Sequence, residues 1–201
     1  CDTADVVITV NAGNIAADAD SASGINGLSG AANVLDVLPG DTLNGNPALL
    51  GGAGNISMSV VTPATPIGGG PVPVLNVATG LVSVPAGTPA GSYAITYEIC
   101  ETLNPTNCAQ NTATVDVVAA PIVADDDSGS SNGASGNPSV VNAFANDTLN
   151  GNPVVAANIT ATVLTPATNP GVALDPATGT VSVAPGTPAG SYTTVYEICE
   201  N

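Results

Sequence analysis

The sequence predicts an all-β protein built from tandem immunoglobulin-like antiparallel β-sandwich domains, and three observations carry that expectation. A unit of about 100 residues recurs along the 201-residue chain. Short β-branched runs alternate with dense punctuation from 23 Gly and 17 Pro. No segment shows the apolar period of a helix.

The recurrence is close to literal. Asp41-Thr-Leu-Asn-Gly-Asn-Pro47 returns as Asp147 to Pro153, Gly87-Thr-Pro-Ala-Gly-Ser-Tyr93 as Gly186 to Tyr192, and Tyr97-Glu-Ile-Cys-Glu101 as Tyr196 to Glu200. Cys1 to Val10 matches Cys108 to Val117, the end of a unit. The chain therefore reads as three pieces: residues 1–12, a final strand of a preceding or neighbouring repeat; residues 13–119, a complete repeat; and residues 120–201, a repeat lacking its last strand.

Within the complete repeat the predicted strands are Asn33 to Leu38, Asn55 to Thr62, Val72 to Val77, Leu81 to Val84, Ser92 to Cys100 and Cys108 to Ala119. The fifth alternates most clearly, with Tyr93, Ile95, Tyr97 and Ile99 on one face and Ala94, Thr96, Glu98 and Cys100 on the other. The sixth places Ala113, Val115 and Val117 inward, so the two form a hairpin. Asn44-Gly45 and Asn150-Gly151 are turns that require positive φ. The four Tyr occupy matched strand positions as core residues.

Composition excludes several functions. The chain has 16 Asp and Glu, no Lys, Arg or His, and a net charge of -16. No carboxylate has an internal cationic partner, so each is solvated, hydrogen-bonded or bound to a cation from solution. Nucleic acid and anionic membranes are excluded as partners, because nothing neutralises phosphate. Enzymes that rely on a basic side chain are excluded as well. A paired-carboxylate hydrolase fails too, because Glu98 and Glu101 are close neighbours in one strand and recur in each unit. Hydrophobic residues at 44% and a mean hydropathy of +0.34 rule out a disordered acidic tail. No run reaches the length of a membrane span, and no basic leader precedes the chain, which reads as mature or internal.

The alternation puts Cys100 and Cys108 on facing strands around the loop Glu101 to Asn107, where a cross-strand disulfide is the natural reading. Free thiols or a metal pair are the alternatives, and they lack any His or CxxC spacing. A disulfide implies an oxidising, extracellular setting. Cys1 and Cys199 lie where the repeat is cut and pair across repeats or subunits. Either the chain is a window on a longer array, or Cys1 to Val10 completes the open last domain of a neighbouring copy. The window is the simpler reading, since a subunit more often begins at a unit boundary. Both make a head-to-tail string of sandwiches.

Acidic residues cluster at the junctions of the units: Asp125, Asp126 and Asp127 immediately after Ala119-Ala-Pro121, the junction between the two, and Asp18 and Asp20 at the equivalent junction of the first. Without basic neighbours, side-by-side carboxylates call for a cation, and hard oxygens suit Ca2+. The loops carrying Asp41 and Asp147 bring another carboxylate to the same end. The alternative is that these Asp residues solvate a linker and make turn hydrogen bonds.

Tyr97-Glu-Ile-Cys-Glu-Thr-Leu-Asn-Pro-Thr-Asn-Cys108, with Ala124-Asp-Asp-Asp127 and Asn146-Asp-Thr-Leu-Asn-Gly151, resembles the tandem Ig-like or cadherin-like repeats of large secreted surface proteins of Bacteroidetes-type bacteria. The resemblance implies a cell-surface or extracellular stalk, adhesin or biofilm-matrix fibre, often stiffened by calcium. It also implies candidate O-glycosylation at Asp-Ser/Thr-apolar triplets, here at Thr3, Ser21, Thr42 and Thr148. The first unit departs from the pattern with Asp18-Ala-Asp20 in place of three consecutive Asp. The expected function is a structural, non-enzymatic segment of a calcium-stiffened, disulfide-locked filament. The alternative is an adhesin module that binds a glycan, a host-surface ligand or a partner protein.

Overall fold

The computed structural model of the chain describes residues 1–52 and 54–201 and divides into two compact units, Cys1–Ala119 and Ala120–Asn201. The first carries strands β1 (Ile15–Ala16), β2 (Asp20–Asn26), β3 (Ala31–Asp36), β4 (Thr42–Leu43), β5 (Asn46–Pro47), β6 (Ile56–Thr62), β7 (Val74–Asn76), β8 (Leu81–Val84), β9 (Gly91–Glu101) and β10 (Cys108–Val118). They form a four-stranded sheet, β2-β10-β9-β6, a three-stranded sheet, β3-β8-β7, and a small sheet, β1-β4-β5. One core joins the first two sheets: Val37, Leu75, Val82 and Val84 from one side, and Ile56, Tyr93, Ile95, Tyr97, Ile99, Ala113, Val115 and Val117 from the other.

β9 shows why the sequence selects this arrangement. Its four odd-numbered apolar residues from Tyr93 to Ile99 are buried, while the residues between them are exposed or half-buried. Each fully buried aliphatic side chain contributes roughly 1.5–3 kcal/mol. Tyr93 donates its hydroxyl to the Pro89 carbonyl at 2.7 Å, and Tyr192 does the same to Pro188 at 2.9 Å. This is the tyrosine corner of sandwich folds, fixing the chain as it enters the strand.

Two expectations are corrected. The fold is not wholly antiparallel, because β2 pairs with β10 in parallel. The strand expected over Asn33 to Leu38 runs two residues earlier, over Ala31–Asp36. It bulges around Asn33, which sits at φ 53, and it stops where the Asp36 carboxylate accepts the Leu38 N–H at 3.1 Å. Asn44 and Gly45 adopt φ 54 and 74, and Asn150 and Gly151 adopt φ 54 and 71, the two-residue turn that joins β4 to β5 and its counterpart in the second unit.

The second unit carries β11 (Ile122–Val123), β12 (Asn137–Asn142), β13 (Thr148–Leu149), β14 (Asn152–Pro153), a single 3-10 turn at Ala156–Asn158, β15 (Ile159–Thr165), β16 (Val172–Leu174), β17 (Thr180–Val183) and β18 (Val195–Glu200). Its sheets are β11-β13-β14, β12-β17-β16 and β15-β18. Among the described residues no helix is long and apolar enough to cross a membrane.

Candidate functional site

In each unit the segment that leads into the sandwich is held by side chains of the body. The Glu101 carboxylate accepts the Gly13 N–H at 2.9 Å, and Asn107 Nδ2 donates to the Gly13 carbonyl at 2.7 Å. Asn107 also donates to Glu101 at 2.8 Å, and this bond together with the one from the Gly13 N–H holds the Glu101 carboxyl below its ordinary range. Asn111 Nδ2 donates to the Ala17 carbonyl at 2.7 Å, and the Asp41 carboxylate accepts the Asp18 N–H at 2.7 Å. In the second unit Glu200 accepts the Ala120 N–H at 3.0 Å and Asp147 accepts the Asp125 N–H at 2.9 Å.

The centre of each site is a tyrosine hydroxyl. Tyr97 Oη lies 2.9 Å from the Asp18 carbonyl, 3.1 Å from the Val37 carbonyl, 3.1 Å from Asp20 Oδ2 and 3.3 Å from both Asp41 carboxylate oxygens. Tyr196 Oη lies 2.6 Å from the Ala143 carbonyl, 2.9 Å from Asp147 Oδ2 and 3.4 Å from Asp127 Oδ2. Alternation places Tyr97 inward on β9, and the Leu38-to-Asp41 turn, closed by the Asp41 N–H to Leu38 carbonyl bond of 3.0 Å, carries the carboxylate to it. A hydroxyl has one proton, so most of these acceptors are not satisfied by it.

Burial dominates the electrostatics. Asp41 and Asp147 are 1% and 0% exposed. Burial pushes the Asp41 carboxyl up to about 6 from 3.8; the Asp18 N–H and Tyr97 hydroxyl oppose the shift, and the charges of Asp20 and Asp18 add to it. Burial likewise raises Asp20 and Asp127, with neighbouring aspartates adding to each. The Tyr97 and Tyr196 phenols are raised first by burial and then by the carboxylates they face.

The remaining aspartates are less involved. Asp18 and Asp125 are exposed and reach the centre through their backbones. Asp126 is exposed, and its carbonyl accepts from Asn146 Nδ2 at 3.3 Å. No three of these carboxylates meet: among the described residues, the one group of three acidic or cysteine side chains within 4.8 Å is Glu98, Cys100 and Cys108. Cys100 and Cys108 are joined in a disulfide across the β9/β10 register, so that group offers no thiolate. Cys1 and Cys199 are free and exposed. Thr3 and Ser21 are exposed, whereas Thr42 and Thr148 are half-buried between buried neighbours.

Strand alternation alone predicts Tyr97 and Tyr196 only as core residues. The signal for their second role was available, because an inward-facing tyrosine on a buried strand needs a partner for its hydroxyl.

The donor set fits a hard cation. The hydrogen-bond partners of Tyr97 Oη are all oxygens, from two carboxylates and two carbonyls, and no basic side chain exists to balance the charge.

No protein-family model matches the chain, and no curated protein matches it. Among solved structures it is similar to the extracellular cadherin domains 3-6 of protocadherin gamma B2, at 14% identity over 94% of this chain and 47% of that chain, with TM-score 0.35. It is similar to mouse cadherin-23 EC22-24, at 14% identity over 86% of this chain and 54% of that chain, with TM-score 0.36. It is also similar to the human desmocollin-1 ectodomain, at 11% identity over 94% of this chain and 42% of that chain, with TM-score 0.37. The chain spans about half the length of these chains.

Proposed function

We propose that the chain is a repeat segment of an extracellular structural filament or stalk at a bacterial surface, with one calcium ion tying the leading segment of each β-sandwich to its body. The observation that carries this reading is the Tyr97 centre and its repetition at Tyr196: an oxygen-lined, nearly buried, doubly acidic cluster in a chain without a single basic side chain. Two carboxylates gathered around one hydroxyl in a partly buried site repel each other, and a divalent cation removes that repulsion.

In the first unit Asp20 and Asp41, with the Asp18 and Val37 carbonyls, hold the ion. In the second, Asp127 and Asp147 with the Ala143 carbonyl do so. Six to eight oxygens are usual for calcium, so water completes the shell. The ion supplies positive charge that links the segment around residues 18–20 to the turn ending at Asp41. Tying the leading segment down limits how far an attached repeat can swing. The Cys100–Cys108 disulfide hardens the neighbouring hairpin in an oxidising medium.

Calorimetric titration of the full chain with calcium tests this. Two binding events per chain are expected, with Asp41→Asn removing one and Asp147→Asn the other. No binding heat, or unchanged stoichiometry in both variants, contradicts the reading.

A further inference from the structure

The outer face of the β9/β10 hairpin carries a cluster of sulfur and carboxylate donors that the acidic centres do not use. Alternation puts Glu98 and Cys100 on one face of β9, and the register sets Cys108 opposite Cys100 and Gln110 opposite Glu98, so all four side chains share that face. Cys100 Sγ lies 3.5 Å from Glu98 Oε2, and Cys108 Sγ lies 3.4 Å from the Pro105 carbonyl oxygen. Gln110 Nε2 donates to Glu98 Oε1 at 2.8 Å, which leaves the other carboxylate oxygen turned to the sulfurs.

Opening the disulfide leaves this pair in place. The β9/β10 ladder runs without a register shift from Gly91 opposite Val117 to Cys100 opposite Cys108. The loop beyond is closed by its own bonds: the Glu101 N–H donates to the Asn107 carbonyl at 3.0 Å, the Asn104 N–H to the Glu101 carbonyl at 3.1 Å, and the Asn107 N–H to the Asn104 carbonyl at 2.8 Å. None of these bonds runs through sulfur. The ladder that sets the two Cα atoms 4.1 Å apart therefore also holds the thiols of a reduced chain face to face.

The donor set matches a thiophilic ion and not calcium, which takes oxygen alone. Both Sγ atoms and a Glu98 carboxylate oxygen lie within 4.8 Å of one another. A tetrahedral ion with Zn–S of about 2.3 Å spaces its two sulfurs about 3.8 Å apart and sets a carboxylate oxygen about 3.6 Å from each. Two thiolates and one carboxylate carry three negative charges, and the chain has no basic side chain to offset them. A divalent ion cancels two of the three.

We propose that Cys100, Cys108 and Glu98 form a redox-gated site for a thiophilic divalent ion of the Zn2+ class, loaded when the disulfide is reduced, with water in the fourth position. Reduction by a small-molecule dithiol moves two electrons and two protons to the sulfurs, and the dithiol leaves as a cyclic disulfide. Metal binding then expels the two thiol protons to water. The ion bridges β9 and β10 where the disulfide did, so the mouth of the hairpin is cross-linked in both redox states. The site shares no residue with the oxygen-lined centres, so it goes beyond the calcium reading and does not depend on it.

The test uses Cys1→Ser/Cys199→Ser, in which Cys100 and Cys108 are the remaining cysteines. The chain is reduced with a dithiol, freed of it in the absence of oxygen, and titrated with Cd2+ in millimolar calcium. The expected result is one Cd2+ per chain, a thiolate-to-cadmium charge-transfer absorption, release of two protons, and a higher melting temperature when Zn2+ is added instead. Glu98→Gln keeps the absorption but weakens binding about 10–100-fold, whereas Cys108→Ser loses it. The oxidised chain shows no such absorption. No absorption in the reduced chain, one ion shared between two chains, or equal affinity in Glu98→Gln overturns the proposal. Calcium binding heats are measured on the oxidised chain, so this inference and the calcium reading can each fail alone.

Discussion

Tyr97 has one proton to share among oxygens of Asp18, Asp20, Val37 and Asp41, and the consequences are local and measurable. Tyr97→Phe leaves buried acceptors without their donor and costs about 1–3 kcal/mol, read by denaturant unfolding. Asp41 sets a pH dependence. Its folded pKa of about 6 lies above its ordinary 3.8, so the stability linked to it is complete below about pH 4 and is lost as pH rises through 6. The Asp18 N–H and the Tyr97 hydroxyl hold the shift back, and the charges of Asp20 and Asp18 add to it. Glu101, held low by Asn107 and Gly13, works the opposite way and loses its contribution as pH falls. In chelator, wild type should therefore lose melting temperature between pH 4.5 and 7.5 relative to Asp41→Asn. Parallel pH profiles for the two proteins would rule out Asp41 as the source.

At the scale of elements, β9 and β10 make the strongest hairpin, and the eight-residue separation of its cysteines predicts what the bond contributes. Loop-closure entropy gives about 2–3 kcal/mol, so Cys100→Ser/Cys108→Ser should lower unfolding free energy by that amount in chemical denaturation. β18 offers a second check. In monomeric, reduced chain, the amides of residues 191–194 should exchange with solvent far faster than those of Ser92 to Ile95, which β10 pairs. Equal protection would contradict the absence of strand pairing at residues 191–194. β8 was legible to the residue and β6, β9 and β10 to within one or two, because alternation and β-branching extend over several residues. β1, β4 and β5 were not legible, since a two-residue strand has no period to detect. β2 was missed because Asp20-Ser-Ala-Ser-Gly is small and polar, and its strand character comes from lying beside β10. The acidic site was half legible: sequence grouped the aspartates and anticipated Asp41, but not that Asp18 acts through its backbone or that tyrosine sits at the centre.

For the whole molecule, repetition was readable from the sequence, and the two units pack unequally. The first unit has a closed core, while the second leaves Tyr192, Val181 and Val183 half-exposed. Calorimetry of the monomer should resolve two transitions, the lower one from the second unit. The reading of the chain as a calcium-stiffened string is tested most directly by a thermal melt in millimolar calcium and in excess chelator, with electron micrographs of both samples. The account predicts that chelation lowers both transitions and turns straight particles flexible. Unchanged transitions and unchanged particles in chelator would contradict it, leaving the acidic centres as hydrogen-bonded turns.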